Sequence, residues 1–253
     1  MLLETNLYGV VDKVKTAIER LRTFEPKEGY YLAFSGGKDS QVIYHLAKEA
    51  GVKFDSHFSL TSVDPPEVLK FIRANYPDVI WSMPKMSMRQ LIIKKGMLPT
   101  RMARFCCDVL KEQGGEGRTV IIGVRWSESK QRANQKMYNQ CVKGKKKSLF
   151  RPIIDWKDDD VWEYLNNRNI PHCCIYDEGW ERIGCVMCPL SKNVIKESVR
   201  WPSFKKMYMG AIEQIYKNGK WKEKFDSPEA VYRWWIGEIE LQKDCEGQQM
   251  MFD

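Results

Sequence analysis

Apolar and polar positions along residues 25–190 follow two patterns that alternate. Strand-like apolar segments occur in "GYYLAF", "KFDSHFSLT", "DVIWSM" and "RTVIIGV". Between and after them, helical spacing with glycine or proline at the ends occurs in "SQVIYHLAKEA", "PPEVLKFIRANYP" and "WKDDDVWEYLNNRNIP". Alternating strands and helices predict an α/β fold with a mostly parallel twisted sheet and helices on both faces.

The two ends of the chain differ from this middle part. Apolar residues from Leu7 to Leu21 fall at helical spacing and predict an N-terminal helix in residues 1–24. After about Leu190 the patterns are helical, with no strand between them. We therefore predict a nucleotide-binding domain over 25–190 and a helical C-terminal extension over 191–253. No apolar stretch is long enough for a bilayer and no export signal begins the chain, so we expect a cytoplasmic protein without a membrane partner.

A polar loop falls where the first predicted strand meets the first helix of the sheet domain. It consists of Ser35, Gly36, Gly37, Lys38, Asp39 and Ser40. Helix N-terminal amides and a lysine favour phosphate, and glycines let the backbone approach phosphate oxygens. Asp39 would repel phosphate, so we expect it to hold the loop or a Mg²⁺ ion. The loop is not a Walker A motif, because Leu32 occupies the position of the required first glycine.

The chain contains eight cysteines, which in a reducing compartment suggest metal, cluster or redox chemistry rather than disulfides. Two close pairs stand out, Cys106-Cys107 and Cys185-x-x-Cys188. Four thiolates suit either tetrahedral zinc or a [4Fe–4S] cluster, and adjacent cysteines fit separate iron corners better than one small ion. Cys173-Cys174 is either a packing pair, which is the favoured interpretation, or contains a ligand or sulfur carrier. Cys141 is interpreted as an exposed thiol.

The positive charge of the chain favours polyanionic partners. The net charge is +8, which fits nucleotides or nucleic acid without requiring them. The basic run from Lys143 to Lys147 is either a solvated loop or a contact to a phosphate backbone. Arg125 follows a predicted strand and Arg132 lies shortly after it, and each is a candidate phosphate ligand or a salt-bridge residue.

The loop sequence SGGKDS resembles the signature of the PP-loop ATP pyrophosphatases, which split ATP between its α and β phosphates. Three further segments resemble the phosphoadenosine-phosphosulfate (PAPS) and adenylyl-sulfate reductase family: "CCDVLKE", "IIGVRWSESKQRA" and "RPIIDWKDDDVWEYLNNRNIPHCCIYDEGWERIGCVMCPL". The resemblance implies ATP and Mg²⁺ as ligands, and nucleotide contacts at Ser62 and Asp64. Asp64 is alternatively a helix N-cap before Pro65. The resemblance also implies a [4Fe–4S] cluster on Cys106, Cys107, Cys185 and Cys188.

Within this family, the complete loop is similar to that of the ATP-pyrophosphatase subunits of DNA phosphorothioation systems. The similarity implies that ATP activates a DNA phosphate and that a cysteine desulfurase partner supplies sulfur. Lys38 would neutralise pyrophosphate, Asp39 would order the loop or its metal, and Arg125 would orient a phosphate. The oligomeric state is open, with a homodimer as one alternative.

Two other functions fit the same residues. One is a PAPS or adenylyl-sulfate reductase with a thioredoxin-type reductant, although the tail around Cys245 matches the Glu-Cys-Gly tail of those enzymes poorly. The other is a cluster-bearing nucleotide-binding regulator without turnover. Pyrophosphate release from ATP would distinguish the ATP pyrophosphatase from these two alternatives. Sulfite release would identify the reductase.

Overall fold

The computed structural model describes residues 2–6, 9–140 and 146–240. Of these residues, 2–59, 66–82 and 113–183 pack into one unit, called unit 1 here. Residues 60–65, 83–112 and 184–240 pack into a second, unit 2. The two units are interleaved along the sequence, since the chain leaves unit 1 after residue 59 and again after residue 82 before it returns to complete the sheet. We had predicted consecutive ranges.

Unit 1 is built on a mostly parallel sheet. Its strands are β1 (Leu3–Asn6), β2 (Gly9–Asp12), β3 (Tyr30–Phe34), β4 (Phe54–Ser59), β5 (Ile80–Ser82), β6 (Thr119–Ile121), β7 (Tyr138–Asn139) and β8 (Ser148–Phe150). Its helices are α1 (Lys13–Thr23), α2 (Lys38–Ala50), α3 (Pro66–Asn75), α6 (Lys130–Ala133) and α7 (Asp158–Asn167). Six strands form one sheet in the order β5-β4-β3-β6-β8-β7, in which only β7 is antiparallel to its neighbour.

The predicted α/β fold is confirmed. Strand β3 occupies the centre of the sheet, and Leu32 is fully buried there. Helix α2 buries Val42 and Leu46, and it ends where Gly51 adopts the left-handed conformation at φ +69°. Parallel pairing of the five strands places their carboxyl ends on one edge of the sheet, where the polar loop lies.

Unit 2 is helical. It contains α4 (Met88–Lys95), α5 (Phe105–Leu110), α8 (Val194–Arg200), α9 (Pro202–Lys217) and α10 (Pro228–Trp235). Helix α9 packs against α4, α8 and α10, and the Trp235 indole donates to the Pro99 carbonyl at 2.7 Å. The helical C-terminal region is thus confirmed as far as residue 240. In the residues that the structure covers, no helix has the length and apolar character needed to cross a bilayer.

The prediction of a helix throughout residues 1–24 is wrong for residues 3–6 and 9–12, which form strands. Strands β1 and β2 form an antiparallel hairpin, and α1 begins only at Lys13. Asp12 ends the hairpin as the N-cap, because its carboxylate accepts from the amides of Val14 and Lys15. Gly9 adopts φ +122°, which other residues disfavour, at the start of β2.

Asp55 on β4 provides a pH-dependent contribution to stability. Its carboxylate pairs with Arg118 and His57. The hydrogen bond from Arg118 lowers the pKa of the Asp55 carboxyl. The folded-state pKa is therefore below the unfolded value, so this stabilisation is full above about pH 4 and is lost as the pH falls further.

We expect Asp55→Asn to lower the free energy of unfolding at neutral pH more than at acid pH. The protonated aspartic acid and asparagine differ little in charge, so the two proteins should converge once Asp55 is protonated. Urea unfolding of both proteins from pH 7 down to acid pH measures this difference. A difference that stays constant with pH would contradict the ion pair.

Candidate functional site

The polar loop Ser35–Ser40 joins the carboxyl end of β3 to the first turn of α2. Gly36 adopts φ +74°, and a Cβ there would lie 2.9 Å from a side-chain atom of Ile72. Only glycine fits both restrictions. The Ser40 hydroxyl donates to the Gly37 carbonyl at 2.7 Å, and the Ser35 hydroxyl donates to the Ser40 hydroxyl at 3.1 Å. The loop is therefore fixed by its own side chains before any ligand binds.

The Lys38 ammonium is held by residues from the last sequence segment of unit 1, residues 113–183. The side chain is only 5% exposed. Its Nζ donates to the Glu181 carbonyl at 2.6 Å and lies 3.2 Å from Asp158 Oδ1. The rings of Trp162 and Tyr176 lie 5.7 and 5.4 Å from Nζ, within the range of cation–π attraction. The loop thus carries a buried, oriented positive charge.

The Tyr176 hydroxyl lies at the N-terminus of α2. It accepts a hydrogen bond from the Lys38 backbone amide at 2.9 Å. Amides in the first turn of a helix are the donors that bind phosphate oxygens. Burial raises the pKa of the Tyr176 phenol, so this group stays neutral at physiological pH. An anion that used the Lys38 amide would have to replace the Tyr176 hydroxyl.

Arg125 forms a buried ion-pair network rather than a surface salt bridge. It is 3% exposed, and its Nε lies 2.6 Å from Asp39 Oδ1. Its other nitrogens bond Asp158 at 2.9 Å and the Ser127 hydroxyl at 3.1 Å. Burial raises the pKa of the Asp39 carboxyl, while the charges of Arg125 and Lys38 oppose that effect. The guanidinium of Arg125 bonds protein groups and orients the Asp39 carboxylate. A contact between Arg125 and phosphate stays a prediction.

The remaining predicted ligands lie in other surroundings. Arg132 pairs with Glu128. Ser62 and Asp64 belong to unit 2, where the Ser62 hydroxyl accepts from the Met88 amide at 2.8 Å and Asp64 accepts from the Thr61 amide at 2.6 Å. Burial raises the pKa of Asp64. The nucleotide contacts of all three stay predictions.

The four cysteines predicted to bind metal all belong to unit 2. Cys106 and Cys107 lie in the first turn of α5, and Cys185 and Cys188 lie between residue 184 and α8. A hydrogen bond to Cys107, burial and the other thiols raise the pKa of Cys106, and the same hydrogen bond lowers the pKa of Cys107. Burial also raises the pKa of Cys188. The two pairs are therefore close enough to influence each other electrostatically.

Cationic and polar groups surround these sulfurs. Arg104 lies 3.6 Å from the Cys107 sulfur, and Cys185 lies 3.4 Å from the Thr61 hydroxyl. The charge interaction with Cys185 raises the pKa of Lys111. In the described ranges, no group of three or more His, Cys, Asp or Glu side chains is arranged to hold a single metal ion.

The other cysteines differ from these four. Cys173 is buried in unit 1 and Cys174 is exposed. Burial raises the pKa of Cys173 to about 11, as expected for a packing residue. Cys141 and Cys245 lie outside the described residues, together with Lys143 and Lys145 of the basic run.

Sequence patterns did not identify several residues of the loop site. Asp158 looked like an ordinary acidic residue in the first turn of a helix, and Tyr176 and Glu181 lie in a segment that resembles the family but were given no role from the sequence. Gly123 is a further example, because a Cβ there would lie 2.9 Å from the backbone of Asp39. A glycine inside the predicted strand segment "RTVIIGV" was the one available signal.

A glycine-containing loop between a parallel strand and a helix, with a buried lysine at the helix start, defines a nucleotide-binding α/β domain. A family profile described as "Phosphoadenosine phosphosulfate reductase domain" matches residues 29–191. The chain belongs to this family.

Individual relatives agree with this membership. An uncharacterized protein of Methanocaldococcus jannaschii is 32% identical over 72% of this chain, which spans only 41% of that relative. An adenosine 5'-phosphosulfate reductase of Staphylococcus haemolyticus is 26% identical over 79% of this chain and 88% of its own length. The crystal structure of a PAPS reductase from Candida auris in a phosphate complex has 18% identity and a TM-score of 0.52, over 67% of this chain and 88% of that one. The last comparison supports the fold alone.

Proposed function

We propose that the chain is an ATP pyrophosphatase that adenylates a phosphate group of DNA for sulfur transfer. The complete SGGKDS loop, with the Lys38 ammonium buried beside it, is the observation that carries this proposal. Reductases of sulfonucleotides receive a substrate that is already activated and do not need to split ATP. A loop with both glycines and the lysine in place fits an enzyme that activates its own substrate.

The proposed reaction has two steps. A non-bridging oxygen of a DNA phosphate attacks the α-phosphorus of ATP, the bond to the β-phosphate oxygen breaks, and pyrophosphate leaves. A sulfur nucleophile then attacks the adenylated DNA phosphorus, and AMP leaves with the former phosphate oxygen. If a cysteine desulfurase partner delivers the sulfur as a persulfide, cleavage of the S–S bond consumes a thiol reductant.

The loop residues would bind and neutralise the departing pyrophosphate. Lys38 supplies a point charge, and the amides of the first turn of α2 supply directed donors. Asp39 and Asp158 each use Oδ1 for their cationic partners. Their remaining oxygens fit Mg²⁺, which takes one or two carboxylates together with substrate phosphates. Bound there, the metal would neutralise phosphate charge.

A [4Fe–4S] cluster would be held by four cysteines, Cys106, Cys107, Cys185 and Cys188. A cubane takes one thiolate at each iron corner, and the four thiols interact electrostatically within unit 2. The cations of Arg104 and Lys111 compensate the negative charge of such a donor set. When bound, the cluster would supply a redox-active or sulfur-binding iron site.

Reduction of adenylyl sulfate is the second candidate function. It is favoured by the 26% identity to an adenosine 5'-phosphosulfate reductase along 88% of that enzyme. Such a reductase would release sulfite from a sulfonucleotide and would need a thiol such as that of Cys245.

The two functions are separated by anaerobic incubation of the iron-loaded protein with α-labelled ATP, with and without DNA. With DNA present, we expect pyrophosphate and labelled adenylated DNA, and we expect labelled AMP together with sulfur incorporation into DNA only when a sulfide source is added. Sulfite release from adenylyl sulfate without any pyrophosphate from ATP would establish the reductase instead.

We expect Tyr176→Phe to lower the KM for ATP about three- to tenfold, since one hydrogen bond contributes about 0.5–1.5 kcal/mol. The Lys38 amide would then be free for a phosphate oxygen. Steady-state pyrophosphate release measures the change. Tyr216→Phe is the matched control, because it removes a tyrosine hydroxyl bonded to the Phe225 carbonyl in unit 2. An unchanged or higher KM in Tyr176→Phe would contradict the proposed competition.

A further inference from the structure

Arg151, directly after β8, is a buried guanidinium without a charged partner among the described residues. It is 4% exposed. Its NH1 donates to the Lys136 carbonyl at 2.8 Å and to Asn139 Oδ1 at 2.7 Å, both neutral acceptors. Its Nε is buried and has no hydrogen-bond partner in the described ranges. A buried charge without a counter-ion is strongly unfavourable, so the arrangement calls for an anion.

Arg132 adds a second positive charge to this place. Burial and the charge of Arg132 lower the pKa of Arg151, so the two guanidinium groups repel each other. Arg132 pairs with Glu128, which also accepts from the Arg125 amide at 2.8 Å. The pair is therefore connected to the loop site through Arg125 and Asp39 within unit 1.

An exposed aromatic ring is anchored on the neighbouring backbone. Trp126 is 42% exposed, and its indole nitrogen donates to the Gln135 carbonyl at 2.7 Å. Gln135 immediately precedes Lys136, so consecutive carbonyls hold the tryptophan and Arg151. Gln135 Oε1 is also buried without a partner in the described residues, and it can accept from a hydroxyl or an amino group. Lys136 itself is exposed.

We infer that a strand of DNA binds to the Arg151 surface, which consists of Trp126, Arg132, Lys136 and Arg151. One backbone phosphate lies on Arg132 and Arg151, and a neighbouring base stacks on Trp126. Nucleic-acid strands combine these two features, since bases stack on aromatic rings while cationic grooves follow the phosphates. The inference rests on the proposed function, in which DNA is the substrate, and it assigns the place where that strand is held.

The test is the affinity for a fluorescent single-stranded DNA of about 20 nucleotides, a length that covers several phosphates and bases. The iron-loaded protein without ATP is titrated by fluorescence anisotropy at several salt concentrations. We expect Arg151→Met, Arg132→Gln and Trp126→Ala each to weaken binding about tenfold. The two arginine variants should also reduce the slope of log affinity against log salt by about one.

Lys27→Met is the charge-matched control. Lys27 is exposed in the segment between α1 and β3, and its loss should leave the affinity within about twofold, as for a distant surface charge. Arg151→Met should also keep or raise Tm, because it removes a buried unpaired charge. A merely structural Arg151 would lower Tm in this variant.

Three results would overturn the inference. The first is that Trp126→Ala and Arg132→Gln bind the single-stranded DNA with the same affinity as the control Lys27→Met. The second is complete competition by free AMP, which would make the surface a mononucleotide site. The third is a preference for RNA of the same sequence. DNA binding is measured without ATP, so it can be judged apart from the reaction. If the protein releases no pyrophosphate but these variants still weaken DNA binding, only the proposed function is contradicted.

Discussion

Lys38→Ala is expected to reduce pyrophosphate release from ATP by about 10²- to 10³-fold, as when a preorganised electrostatic group is removed. The ammonium is buried between Asp158, the Glu181 carbonyl and two aromatic rings. Initial rates of pyrophosphate formation at saturating ATP provide the measurement.

Lys48→Ala is the control for this prediction. Lys48 lies on the same helix, is half-exposed and pairs with Asp78 at 3.6 Å. Its removal should leave the rate unchanged, since exposed pairs contribute little. Circular dichroism should show both variants folded. Normal turnover in Lys38→Ala would contradict the assignment of the loop.

Anaerobically purified protein is expected to be brown and to contain about four irons per chain. Cys106→Ser and Cys185→Ser should each remove most of this iron, because each variant removes a thiol from one of the two cysteine pairs proposed as ligands, and both pairs belong to unit 2. Iron analysis and the visible absorption spectrum measure the loss. Cys174→Ser, at an exposed cysteine of unit 1, should retain the iron.

One zinc per chain and no iron would contradict the cluster. So would full iron content in both serine variants of the paired cysteines. Iron loss in Cys174→Ser as well would show that a different set of cysteines binds the metal.

Much of the fold follows from local sequence patterns. Strand β3 and helix α2 were predicted because each has its own apolar period and Gly51 marks the helix end. The hairpin at the N-terminus was not, because Val10 and Val11 satisfy a helical pattern as well as a strand pattern. The side chain of Asp12 decides between them by capping α1, and that effect is local but small.

The loop itself was predicted, but most of its surroundings were not. Tyr176 reaches the Lys38 amide from 138 positions away, and no local period encodes such a contact. The sequence shows that Arg125 follows a strand, whereas its pairing with Asp39 depends on tertiary packing. Arg151 shows the same difficulty, since its missing counter-ion becomes visible only when its burial is known.

The bond between the Tyr176 hydroxyl and the Lys38 amide has a consequence for selectivity. Inorganic phosphate or sulfate that enters the loop gains one amide donor and displaces one phenol, an exchange with almost no net gain. A polyphosphate chain would reach the amide and the ammonium together, so under the proposed function its charge interaction with Lys38 would add to the exchange at the amide. If the proposed function holds, the Tyr176 hydroxyl would therefore lower the affinity for small anions more than the affinity for a nucleoside triphosphate.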